Sequence, residues 1–374
     1  MGADVPRDDS WVALLPSDPV PWLLESNEPA ARWVALTGLL GLSADEPEVL
    51  RAHEAVLADP LTADLLDRIS PWDVETPLSG HDKPEFGPNL LGLLADMGVT
   101  AADDERISAV LGSMLEHQAD DGRFLALGRW RGQTEAVWGA LPCDSHAIAE
   151  TLARAGFGED SRVLRAFDRI AADLAETRQG SAWLCRPDPN VGFRGPGRRD
   201  DACPQVTLEA LRAFAYLPAE RRPPEAVAAG RISLSIWRNR GSEKPYMFGH
   251  GRQFKRTKWP PTWYSAFEVV DTLGRYPELR DGPEADPDDR QALAEIAACV
   301  VAYNFDADGR VVPRSCFRGF ERHSFGRKKL PSAYATARTA VALRRLAPLA
   351  EDIRAVDVMA LGSSKGGTGA PLAP

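Results

Sequence analysis

The sequence lacks any apolar run that approaches the length of a membrane span. Its first residues, MGADVPRDDS, lack the basic and apolar regions of a signal peptide. The expected location is therefore cytoplasmic. Cysteine is sparse: Cys143, Cys185, Cys203, Cys299 and Cys316 are odd in number and form no CxxC pair. Without a secretory leader such a set does not read as a disulfide framework. An excess of positive charge is also missing. Forty-four Lys and Arg against 54 Asp and Glu leave a formal charge of −10, which argues against general nucleic-acid binding by the whole chain. Strand-like segments are few and short, RVVP and WLC among them.

What is present is a helical repeat. The 374 residues are 44% hydrophobic, enough for a sizeable core. The unit PNLLGLLADMGVTAADDERISAVLGSMLEHQADDGRF resembles the next, DSHAIAETLARAGFGEDSRVLRAFDRIAADLAETRQGSAW. Each has an apolar helix, a glycine break, an acidic helix start followed by Arg, a second helix, and a small-residue turn ending in an aromatic. Arg106 and Arg162 are 56 residues apart, Phe124 and Trp183 are 59, and Cys143, Cys203 and Trp263 follow at intervals of 60. Later units start at TLEALRAFAY and SAFEVVDTL, and YATARTAVALRRLAPLAEDI forms a last half-unit. A weaker early unit starts at PWLLESNEPAARWVALTGLLGL.

Apolar residues recur at helical spacing, as in Leu152, Ala155, Leu164, Phe167, Ile170 and Leu174. Asp103, Asp104, Asp160 and Asp289 stand where second helices should begin and can cap them. Gly98 and Gly156 suit the ends of first helices. The expectation is an all-α chain of about five to six helical hairpins: a loosely attached segment 1–20, one domain over 21–350, and a flexible tail over 351–374. The tail's KGGTG resembles the start of a phosphate loop but lacks the Lys-Ser/Thr and helix that such a loop requires. Linkers 183–203 and 241–262 are long for mere connectors and should carry function at one rim.

The recurring DGRF and GSAW turns, each followed by a loop and a helix, resemble the squalene cyclase and protein prenyltransferase β-subunit superfamily over roughly residues 85–345. That resemblance implies a terpenoid cyclase-like α/α toroid, with inner helices ringing a central cavity. Squalene-type cyclases protonate their substrate with an Asp-x-Asp-Asp acid. Here DPDD, Asp286–Asp289, falls at the start of an outer helix, where capping explains it. Prenyltransferases hold zinc with an Asp-x-Cys pair and a later His. Asp201 and Cys203 resemble the pair, but PSAYATARTA holds no matching His.

Laying the units over one another places Cys143 with Cys203, and Cys185 with His250, all facing one rim. Three thiols and an imidazole suit tetrahedral Zn²⁺, with Asp201 and His146 as alternate ligands. The other reading is of three small, half-buried thiols and an exposed His. Two basic loops should share the same mouth. Lys244, Arg252, Lys255, Arg256 and Lys258 lie in one; Arg310, Arg314, Arg318, Arg322, Arg327, Lys328 and Lys329, with His323, lie in the other. They suit a diphosphate, a phosphorylated ligand or an acidic protein partner, or are simply a solvated face. Tyr246, Phe248, Trp259, Trp263 and Tyr264 are interleaved with the first loop and can line a cavity or belong to the core. Two functions follow. One is isoprenoid or terpenoid chemistry on an apolar anionic ligand in a deep cavity. The other is non-catalytic binding, with a structural zinc clasp and a filled centre.

Overall fold

The computed structural model describes residues 10–72, 80–129, 133–191, 200–245, 247–281 and 285–361. Tyr246 and the KGGTG segment lie outside them. The helices are α1 (Val20–Leu24), α2 (Pro29–Val34), α3 (Pro47–Leu57), α4 (Pro60–Leu66), α5 (Gly87–Asp96), α6 (Glu105–Glu116), α7 (Pro142–Leu152), α8 (Ser161–Ala172), α9 (Pro204–Phe214), α10 (Glu225–Arg238), α11 (Arg252–Lys255), α12 (Ala266–Leu273), α13 (Pro287–Asn304), α14 (Ala333–Arg344) and α15 (Ala350–Ala355).

Among the described residues these helices form six hairpins arranged as an α/α toroid. Around the inner ring α5 packs on α7, α7 on α9, α9 on α12, α12 on α14, and α14 on α2. The Trp33 ring of α2 lies against Gly98 just beyond α5 and so closes the circle. Outside, α3 backs α2, α8 backs α7, α10 backs α9, α13 backs α12, and α15 backs α13. The inner α7 and α12 are buried on every side: every residue of both helices is buried. The outer α8 instead turns Val163, Ala166, Phe167 and Ile170 inward and the rest outward.

The repeated local signals act as their chemistry suggests. Asp104 and Asp160 cap α6 and α8, each accepting from the backbone N–H of the Arg two residues on. Arg106 and Arg162 return Nε–H to the same carboxylates at 2.9 and 3.0 Å. Gly98 and Gly156 adopt φ of +89° and +92°, the left-handed conformation that favours glycine at a helix end. The segment 10–15 departs from expectation. Ser10–Leu14 forms a 3₁₀ turn that packs on α14 and α15 and buries Trp11 and Leu14. The start of the supposed tail is likewise occupied, by α15.

Strands are short: β1 (Ala126–Gly128) pairs with β2 (Val137–Gly139), and β3 (Leu174–Thr177) with β4 (Gly180–Trp183). The third pair is parallel, β5 (Lys258–Trp259) with β6 (Ser315–Cys316). It ties the two basic loops side by side.

DPDD begins α13, where Asp286 Oδ1 accepts from the N–H groups of Asp288 and Asp289 at 2.8 and 3.3 Å. Asp289 is ion-paired with Arg238 at 2.8 Å. Asp286→Ala should therefore cost about 1 kcal/mol of stability, measured as a lower urea midpoint with an unchanged slope.

Candidate metal centre and the charged core of the toroid

The middle of the ring is filled with paired charges. Arg212 of α9 reaches Glu150 of α7 at 2.5 Å and Glu268 of α12 at 2.7 Å. Asp96 of α5 receives Arg154, just past the end of α7, at 2.7 Å and Arg338 of α14 at 2.8 Å. Asp271 of α12 receives Arg345 at 2.6 Å and Arg275 at 3.4 Å. Burial alone would raise the Asp271 carboxyl. Arg275, Arg345 and Arg338 overcome that and hold it well below the usual carboxylate range. The space left between these side chains is about 70 Å³, room for a few waters rather than a hydrocarbon chain.

A second cluster stands at the rim, at the N-terminal end of α7. Pro142 starts the helix, and Cys143 and Asp144 follow in its first turn. His81 arrives from the segment before α5. Its Nδ1 lies 3.0 Å from Cys143 Sγ and 3.2 Å from Asp144 Oδ1. Cys143 and Asp144 are buried, and His81 is partly exposed with its ring stacked on Trp263 at 5.6 Å. One ring nitrogen therefore meets both partners. A nucleophile–base relay would use the two nitrogens separately. Convergence of N, S and O donors on one point instead fits a cation. Tetrahedral zinc, with bonds of about 2.0–2.3 Å, separates its ligand atoms by about 3.3–3.7 Å, so a small outward shift suffices. Among the described residues this is the one group of three or more His, Cys, Asp or Glu side chains with converging ligand atoms. Without a cation, burial pushes the Cys143 thiol up to about 12, against the opposing pull of His81. Metal uptake would release that proton.

Glu209 of α9 lies within electrostatic reach of His81 and Asp144. It is fully buried, and burial pushes its carboxyl up to about 7. Oε1 accepts from Gln205 Nε2 at 2.6 Å, whereas Oε2 has no hydrogen-bond partner among the described residues.

The four ligands expected from the overlay do not converge, and only Cys143 joins the cluster. The inner helices α7 and α9 start at Pro142 and Pro204, 62 residues apart. Cys143 thus corresponds to Gln205, while Cys203 is the residue before its helix. Cys203 is buried against the half-buried Cys185. His250 is buried among Trp237 and Phe254, with Nε2 2.9 Å from Tyr264 Oη. Burial pushes it down to about 3, so it is neutral. The alternates are occupied too: His146 Nδ1 faces Val206 O at 3.4 Å, and Asp201 lies 3.9 Å from Arg178. His81 was missed because it precedes the clearest repeats. It lies ahead of α5, whereas Cys143 is the second residue of α7, so overlaying the two helix starts aligns Cys143 with Pro88 and does not reveal it.

The basic loops are adjacent, but part of their charge is used internally. Lys255 is buried beneath the Tyr303 ring, Arg322 pairs with Asp64 at 3.0 Å, and buried His323 lies 3.5 Å from the same carboxylate. Arg256 is half-buried, and Arg252 and Arg318 are exposed. Lys258 crosses the Phe317 ring at 3.5 Å. Partial burial first, then Lys83 and Lys328, lower its pKa against the opposing pull of Asp82, and Lys83 itself pairs with Asp82 at 3.3 Å.

No protein-family profile and no curated protein matches the chain. Solved structures match at low similarity. The type II terpene cyclase MstE from Scytonema is 15% identical over 92% of this chain and 98% of its own, with a TM-score of 0.43. A complex of an MstE variant with geranylgeranyl dihydroxybenzoate gives 14%, 92%, 97% and 0.40. A family 105 glycoside hydrolase from C. acetobutylicum gives 8%, 94%, 96% and 0.40. At these values the likenesses say nothing about a reaction. The toroid stands on the helix arrangement itself, and no described helix is long and apolar enough to cross a membrane.

Two outcomes follow. Arg212→Leu leaves Glu150 and Glu268 buried without their shared partner and should cost about 3–5 kcal/mol, read by chemical denaturation. For Glu209 the folded state holds a proton that the unfolded state loses, so its contribution to stability falls as pH rises from about 4.5 through about 7. Metal-free Glu209→Gln should therefore gain on the parent protein between pH 5 and 8, by up to about 3 kcal/mol, in paired denaturation curves.

Proposed function

We propose that the chain is a metal-dependent α/α-toroid enzyme acting on an anionic ligand held at the rim. The observation that carries this reading is the convergence of His81 Nδ1, Cys143 Sγ and Asp144 Oδ1. Three protein ligands leave a tetrahedral cation with one open position, the arrangement of catalytic rather than structural zinc sites. A bound cation there would act as a Lewis acid. The chain's own residues do the rest. Trp263 covers one face of the imidazole, and Asp144, buried in the first turn of α7, would supply the oxygen donor. Lys83, Lys258 and Lys328 supply positive charge to a phosphate or diphosphate beside the centre.

An isoprenoid ligand belongs to this reading only with its tail outside the ring's middle, because that space is small and lined by ion pairs. The alternative, a binding protein with a structural zinc clasp, calls for a fourth protein ligand. The described cluster supports three.

Elemental analysis after zinc loading should find one Zn²⁺ per chain, lost in Cys143→Ala and His81→Ala and retained in Cys299→Ala. Full zinc in Cys143→Ala would overturn the metal reading. For the mouth, inorganic pyrophosphate is the probe. Calorimetric titration should show clearly weaker binding to the Lys258→Ala/Lys328→Ala double variant, and equal binding would remove that part of the proposal.

A further inference from the structure

The geometry points to Glu209 as the proton acceptor that faces the fourth position of the His81–Cys143–Asp144 centre. This inference rests on the metal reading and adds to it the group that would make the centre an acid–base site.

The first support is an unpartnered oxygen. Glu209 is 2% exposed, yet its Oε2 has no hydrogen-bond partner among the described residues. A buried carboxylate oxygen left unpaired is costly and calls for an explanation. Arg212, one turn further along α9, gives its own donors to Glu150 and Glu268. The second support is direction. Side chains on a helix tilt toward its N-terminus, and Glu209 Oε1 is drawn that way by Gln205, one turn earlier. The helices α7 and α9 pack together, with His146 beside Val206 and Glu150 beside Arg212. Following α9 toward its start therefore leads to the turn of α7 that carries Cys143 and Asp144. The electrostatic coupling of Glu209 to His81, Asp144 and Cys143 agrees with that path. Its oxygens nevertheless fall outside the group whose ligand atoms all lie within 4.8 Å of one another. Glu209 is thus not a fourth ligand but a neighbour of whatever occupies the fourth position.

The step is a proton transfer. A water or alcohol seated at that position would give its O–H proton to Glu209 Oε2. The O–H bond of the donor would break, an O–H bond would form on the carboxyl, and the electron pair would stay on the donor oxygen. Glu209 would then hold the proton as a neutral acid and could return it to a leaving group.

The test uses the full chain loaded with Co²⁺ and the Glu209→Gln variant, which keeps the side chain's size and its contact with Gln205. Both proteins should bind one Co²⁺ with the same thiolate charge-transfer band from Cys143, showing that the site is intact. The variant's affinity, by chelator competition, should fall about 10- to 100-fold, and the pH midpoint of its d–d band should move upward. An affinity within about twofold of the parent, with the band titrating at the same pH, would overturn the role of Glu209 and leave the centre standing. If the parent chain takes up no Co²⁺ and shows no thiolate band, the centre and this proposal fall together. Metal-free Glu209→Gln melting no lower than the parent at pH 8 excludes misfolding as the cause of a lost affinity.

Discussion

The arrangement depends on the alternating charges at the middle of the ring. Five inner helices each place a charged side chain there, and each main hub ties two others: Arg212 of α9 joins α7 to α12, and Asp96 of α5 joins Arg154, just past α7, to α14. Buried ion pairs add little net stability over apolar packing, but breaking one leaves a charge stranded. Their effect is on register. A helix rotated or slid by one residue would lose its partner, so the girdle fixes how the inner helices stand beside one another. The rim inherits that order. Cys143 and Asp144 meet His81, and Glu209 lies one helix away, because α7 and α9 are held at a defined height.

The girdle also changes what the fold can be used for. A toroid with an apolar centre offers a chamber for a hydrocarbon. Here Arg154, Arg212, Arg275 and Arg338 face Asp96, Glu150, Glu268 and Asp271 across a space of about 70 Å³. The groups with converging donor atoms stand instead at the rim, where a partly exposed imidazole meets a buried thiol and a buried carboxylate.

Local features were legible in the sequence. The hairpins, the Asp104 and Asp160 caps and the glycine helix ends depend on neighbours within a few residues, and DPDD was readable as a cap for the same reason. Charges at the centre were not legible. Glu150 and Arg154, or Asp271 and Arg275, look like solvent-face i,i+4 pairs, and only the ring turns them inward. Of the four ligands read from the overlay, Cys143 alone stands in the His81–Cys143–Asp144 cluster. Cys143 and Cys203 align at 60 residues, whereas α7 and α9 start 62 apart, and two residues turn a helical position by more than half a circle. Cys143 was found by residue type, and His81 was lost because it lies ahead of the clearest units. The juxtaposed basic loops were inferred correctly from the repeat. Which of their charges were already spoken for, such as Arg322 by Asp64, depends on partners more than two hundred residues away.

The circle is fastened by residues from opposite ends of the chain. Both oxygens of Glu28, at the start of α2, accept from Ser324 Oγ, and one also accepts the backbone N–H of Tyr334 in the first turn of α14. The 3₁₀ turn at Ser10–Leu14 packs on the same late helices. During synthesis the first hairpin therefore has no neighbour on that side until almost the whole chain has been made. Joining Glu28 to Tyr334 closes a loop of some three hundred residues, a contact far more remote in sequence than those within the hairpins. A nascent chain halted before Ser324 would be an open crescent with an unfilled seat for Glu28.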